Sequence, residues 1–253
     1  MRHANQIPDK KFHFNKKRTI FDYNLSKTMK ITRFQYNIDY IHIITFREEY
    51  KLAVSPYFGF DKLRYAIDNE NSINESIRLI FPIEHMAFFM RKEGFTFLFE
   101  GDLSELKNQN GVMKIFWDLF QNIKSFKGFK KCTKHTIIAN AVDLMDKKEV
   151  DKILKKNPYF VKNPFGALTD FSCVYEFKKD DIACKFEFGN YSEEDLARYE
   201  LRPFSTDYSK DLVGGSGQMF RVELNEDSKD PTFGKFKSLL YQTEQLIAKF
   251  ISD

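Results

Sequence analysis

A chain of 253 residues with 42% hydrophobic and 16% aromatic content buries a core without disulfide or metal support, which excludes a disordered polypeptide. Net charge is only +4, but it is unevenly placed: residues 1–36 carry nine basic side chains against two acidic ones, a net +7 that leaves −3 for the rest. Three cysteines without a CxxC pair speak against a disulfide framework or a four-thiolate zinc site, and no signal-peptide pattern or run of about 18 apolar residues stands out, so the expectation is a cytoplasmic protein with no membrane partner.

Residues 1–33 read as a basic N-terminal arm, and 34–253 as a single α+β domain that divides into halves at 34–128 and 129–253. The 28 phenylalanines, and the 30 lysines among 40 basic residues, look like the drift of an AT-rich genome, so a lysine cluster alone carries little weight. From Phe34 to Phe46 the apolar residues alternate, with Asn37 and Asp39 on the other face, which predicts a long half-buried strand. FGFDKLRYAID (58–68) reads as helical. Ile77, Leu79 and Phe81, then HMAFFM, then Phe95, Phe97 and Phe99 after the RKEG turn predict three antiparallel strands.

Asn110 is placed to cap a helix whose stripe runs Val112, Ile115, Phe116, Leu119, Phe120 and Ile123, ending at Gly128. Residues 129–144 read as a strand and 146–157 as a short helix capped by Asp146. A hairpin follows across KKDD, with Cys173 and Cys184 on its apolar faces. Ser192 opens a brief helical turn, and 202–217 lack periodicity. Phe220, Val222 and Leu224 mark the last strand, and Asp230 with Pro231 predicts the start of a C-terminal helix. Strand pairs between helices predict antiparallel sheet with helices on one face, each half a split βαβ unit of the ferredoxin-like kind.

The order from GVMKIFWDLFQNI through IIANAV, the LTDFSCVYEF and IACKFEF hairpin and FRVELNED to the final helix resembles a sporadically distributed bacterial family of uncharacterised proteins of about 250 residues. Asn140 and LNED are the matching points, over residues 95–251. The resemblance implies a cytosolic bacterial α+β protein in a phage-defence or toxin-control setting and assigns no catalytic residue. The strand TRFQYNIDYIHIITF departs from the family's opening motif.

Four stretches bear on chemistry. Gly214-Gly215-Ser216-Gly217 is followed by Gln218 and a strand, not by a lysine and a helix, so a strand connector or an engineered linker fits better than a phosphate loop. Cys132 and His135, three apart on a strand, should point to opposite faces and so form no dyad. Acidic-x-Lys triplets occur at Glu49-Tyr50-Lys51, with Asp39 upstream, and at Glu176-Phe177-Lys178, with Asp170 upstream; such sets hold Mg²⁺ in metal-dependent nucleases, although this composition yields several by chance. In the arm, Lys10, Lys11, Lys16, Lys17 and Arg18 interleave with Phe12 and Phe14, a pattern suited to phosphates and stacked bases or to an acidic protein. The leading expectation is a non-enzymatic binding protein without cofactor or metal, its partner a protein or nucleic acid met through the arm. The alternative is a metal-dependent nuclease using Asp39, Glu49, Lys51 and Mg²⁺.

Overall fold

The computed structural model describes residues 29–43, 46–156, 171–195, 212–227 and 230–251. Among them, nine strands form one antiparallel sheet. In chain order these are β1 Met29–Tyr40, β2 Arg64–Asp68, β3 Ser76–Phe81, β4 Met86–Arg91, β5 Gly94–Phe99, β6 Cys132–Leu144, β7 Ser172–Lys179, β8 Ile182–Tyr191 and β9 Gly217–Glu226. Four helices accompany them: α1 Phe46–Val54, α2 Val112–Lys124, α3 Lys147–Lys156 and α4 Phe233–Ile251.

The strands lie in the order β2-β3-β4-β5-β1-β6-β9-β8-β7, so β1 and β6 meet at the centre and the two halves share one continuous sheet. Each half repeats one plan: a strand, a helix, an antiparallel meander whose last strand returns beside the first, then a closing helix. This corrects the split βαβ expectation. In that unit one strand separates the two joined through the helix, whereas here β9 and β8 lie between β6 and β7, and three strands lie between β1 and β2.

The period of two in β1 has a direct structural result. Phe34, Tyr36, Ile38 and Tyr40 are buried on one face, while Arg33, Gln35, Asn37 and Asp39 alternate onto the other. The buried face carries the helices. Phe116 of α2 stacks on Phe95 with centroids 5.5 Å apart, Phe236 of α4 meets Tyr36 at 5.0 Å and Phe34 at 5.9 Å, and Tyr50 of α1 hydrogen-bonds to Tyr40. At the far side Val150 of α3 shares a small cluster with Phe171 and Phe188.

Three expectations change. β1 begins at Met29, so residues 29–33 of the expected arm belong to the sheet; it also ends at Tyr40, because backbone bonds from Ile41 to Lys131 and from Ile43 to Lys92 tie the chain down before α1 starts. α1 lies where the strand pattern was expected to run on to Phe46, although Tyr50, Ala53, Val54 and Tyr57 bury one stripe at helical spacing. The expected 58–68 helix is instead a run of turns, with Lys62 at φ 58°, that follows a 3-10 turn at Ser55–Tyr57 and leads into edge strand β2. Caps also shift: Gly111 is the α2 N-cap, and the Thr232 hydroxyl accepts from Lys235 N–H at 3.3 Å at the head of α4. Asp230, outside that helix, pairs with Lys124 at 3.1 Å.

Candidate functional site

The face of the sheet turned away from the helices is where polar groups converge. Strand register sets them in rows. Thr96, Asn37, Thr136 and Asn225 stand side by side on β5, β1, β6 and β9, because each pairs with the next across a strand boundary. Thr96 Oγ1 and Gln35 Nε2 both donate to Asn37 Oδ1 at 2.9 Å, Thr136 Oγ1 donates to Asn225 Oδ1 at 2.6 Å, and Asn225 Nδ2 donates to Glu223 Oε1 at 3.0 Å.

A second row crosses the centre. Arg33 pairs with Asn140, Asn140 with Arg221 and Arg221 with Glu187. Arg33 lies 3.9 Å from the buried Glu100 carboxylate, and Arg221 donates to Asn140 Oδ1 at 3.2 Å. Two arginines flank the Asn140 amide and a carboxylate stands at each end, Glu100 and Glu187, so the face presents hydrogen-bonding variety and no single-sign field. Over β1, β4 and β5 it deepens into a cavity of about 480 Å³, walled on one side by the loop between β2 and β3.

Asp39 lies at the end of this face, beside Lys134 and Gly94. Burial raises its carboxyl above the usual range; Lys134 and Arg91 oppose that shift and Glu93 adds to it. Glu49 and Lys51 are elsewhere. They ride on α1, whose Tyr50 seats it against Tyr40 on the helix side, and Glu49 Oε1 accepts from the Lys127 backbone N–H at 2.9 Å. Asp39 thus belongs to the open face, while Glu49 is bonded on the helix side and Lys51 is exposed on α1. Glu176 and Lys178 are exposed on edge strand β7, and Asp170 lies outside the described residues. So do Lys10, Lys11, Phe12, Phe14, Lys16, Lys17 and Arg18 of the arm.

For Cys132 and His135 the strand-parity argument fails at a bulge. Tyr40 pairs with Cys132, Asp39 with Lys134 and Ile38 with His135, so one extra residue on β6 turns both side chains to the helix face. Burial pushes the Cys132 thiol up to about 11, which disfavours the nucleophilic thiolate. His135, fully buried, lies between the Tyr36 hydroxyl, 3.0 Å from Nδ1, and the Glu226 carboxylate, 3.0 Å from Nε2 in a contact not aligned as a hydrogen bond. Burial lowers its pKa while Glu226 works against that, so the imidazole is a neutral core group linking β1, β6 and β9.

The Gly214–Gly217 stretch is a fitted turn. Gly214 takes φ 73°, Met145 N–H donates to Ser216 O at 3.0 Å, and Ser216 Oγ donates to Met145 O at 2.9 Å. Gly217 then opens β9 so close to the Asp143 carbonyl that a Cβ would collide with it. Among the described residues no group of three metal-ligating side chains occurs, and no helix is long and apolar enough to cross a membrane.

No family model matches the chain, and no curated protein matches it either. The site therefore rests on geometry. The Thr–Asn row escapes a reading of the sequence although its signal is present: Asn37, Thr96, Thr136 and Asn225 are polar residues alternating with apolar ones in strands that pair only once the sheet order is known.

Proposed function

We propose that this chain is a non-enzymatic binding protein that meets its partner, a nucleic acid or an acidic protein, through the basic segment leading into β1 and the polar face that β1 centres. The observation that carries this reading is that Asp39 belongs to the open face while Glu49 is bonded to the Lys127 backbone on the helix side, since a metal-dependent nuclease needs its carboxylates and lysine around one ion. The only thiol and imidazole close in sequence are packed into the core, which also favours binding over nucleophilic chemistry. The reading requires no cofactor; Mg²⁺ belongs to the nuclease alternative. A phage-defence or toxin-control setting goes with the proposal as what the family resemblance implies.

Titration of labelled DNA and RNA at two salt concentrations, with and without Mg²⁺, tests it. If nucleic acid is the partner, binding weakens with salt, and deleting residues 1–28 flattens that dependence by roughly 0.7 to 0.9 in the log–log slope for each phosphate that the arm no longer neutralises. If the partner is an acidic protein, the oligonucleotides bind without arm dependence and the same deletion abolishes the protein complex. Cleavage that requires Mg²⁺ and disappears in Lys51→Ala overturns the reading.

A further inference from the structure

The cavity over β1, β4 and β5 has a floor, an arch and a charged end of different chemistry. Phe89 and Leu98 form an apolar patch on the floor, flanked by the Gln35 amide and the Thr96 hydroxyl. The arch is the β2–β3 loop, and it is pinned at its β3 foot and at its middle. Arg47 donates twice to the Glu75 carboxylate, which also accepts the Asn71 N–H at 2.7 Å, while Lys92 Nζ donates to Ser72 O at 3.2 Å. On this pinned loop Ile73, which lines the cavity, is 84% exposed. A braced loop that holds a large aliphatic side chain in water over an aromatic floor presents two apolar surfaces to whatever enters.

Charge sits at the end of the cavity. Arg91 and Lys92 stand at the β4–β5 turn, and Arg33 on the opposite side. Two carboxylates also face the space. Arg47 holds Glu75 ionised, with a pKa of about 2, and neutralises it; Glu93 is on the rim, 70% exposed and 3.8 Å from His42. Arg91 and Lys92 offer two positive charges to an incoming anion, with Asp39 close to Arg91 and Glu93 on the rim beside them.

We infer that this cavity binds a phosphorylated nucleobase, either a free nucleotide or the terminal nucleotide of a strand, with its ring between Phe89 and Ile73 and its phosphate at Arg91 and Lys92. The inference rests on the reading of the polar face as a binding surface. A bare anion would leave Phe89, Leu98 and Ile73 unused, and an aliphatic ligand would make no use of the Gln35 carbonyl and the Thr96 hydroxyl oxygen, which keep accepting capacity while their donors go to Asn37. A flat ring with heteroatoms on its edge uses both, since aromatic stacking accepts any base and amide and hydroxyl groups read its rim. A volume of about 480 Å³ holds one such unit.

Isothermal titration calorimetry of the full chain tests this with adenosine monophosphate, adenosine, inorganic phosphate and a 5′-phosphorylated oligonucleotide. The nucleotide should bind saturably, with adenosine and phosphate each at least about tenfold weaker, the worth of one charged or stacking interaction. Arg91→Ala and Ile73→Asp, both at exposed positions, should each weaken nucleotide binding about tenfold with the melting temperature unchanged. An oligonucleotide that binds tighter than the mononucleotide marks a strand end as the ligand, and equal affinity marks a free nucleotide. Absence of saturation by both up to about 10 mM, or affinity unchanged in both variants, overturns the inference. Mg²⁺-dependent cleavage with nucleotide affinity intact would instead break only the non-enzymatic reading.

Discussion

The two faces of the nine-stranded sheet are made by the same strands and do opposite work. On the helix side, Phe34, Tyr36, Phe95, Phe97, Phe116 and Phe236 interlock with almost no exposure, and even the buried His135 imidazole is enclosed by Tyr36 and Glu226. On the other side, the intervening residues of the same strands form hydrogen-bonded rows and a cavity in which arginine, lysine, amide and aromatic groups meet. The packed core and the proposed recognition surface thus differ by a single residue of strand register. A one-residue slip would exchange the two sets, and the bulges in the β1–β6 pairing show where that alternation is locally adjusted.

The sharpest way to break this division is to remove mass from the helix side. Phe116 packs on Phe95, Phe97 and Trp117, so Phe116→Ala should cost about 3–5 kcal/mol in urea unfolding, and a loss below about 1 kcal/mol would mean the helix layer is not the core. A smaller effect is expected where β9 enters the sheet. Gly217→Ala should destabilise by about 1–3 kcal/mol because its Cβ meets the Asp143 carbonyl, whereas Gly214→Ala, strained only by its φ of 73°, should cost about 1 kcal/mol. Equal tolerance at both positions would indicate a loose linker.

Acid should weaken the fold in two stages. His135 has a folded pKa below its unfolded value near 6.5, so the folded state binds fewer protons and stability falls as pH drops through about 6.5 and below. Glu75, held at about 2 by Arg47 against an ordinary 4.5, contributes stability that is present above pH 4.5 and lost as pH falls toward 2. His135→Gln should flatten the first stage in a pH series of melting temperatures and Glu75→Gln the second; unchanged profiles would show that neither group titrates with folding. The smallest effect belongs to the open face: Gln35→Ala should shift unfolding by no more than about 0.5 kcal/mol, as expected away from the packed core.

The part of this architecture legible in sequence is the part that depends on short-range periodicity. Alternation in β1, β3, β5 and β9 and the stripe of α2 follow from local pattern, as does the β7–β8 hairpin around Asp180 and Asp181. α1 is hidden because the β-branched run at Ile41–Thr45 continues the strand pattern, and only backbone bonds to Lys131 and Lys92 from distant loops end it. Strand parity puts Cys132 and His135 on opposite faces because a bulge leaves no mark in a single strand's sequence. Asp39, Glu49 and Lys51 look like a set because they are near in sequence; the turn from β1 into α1 carries the last two around to the helix side. The cavity depends on the β2–β3 loop reaching over β1, β4 and β5, a long-range fact that local pattern does not hold.

Whether recognition belongs to the open face is decided by amide and methyl NMR of the full chain during titration with a 5′-phosphorylated oligonucleotide in Mg²⁺. Recognition there gives perturbations centred on Gln35, Asn37, Phe89 and Thr96, with α1 unaffected. Perturbations centred on Glu49 and Lys51, accompanied by Mg²⁺-dependent cleavage, would contradict it.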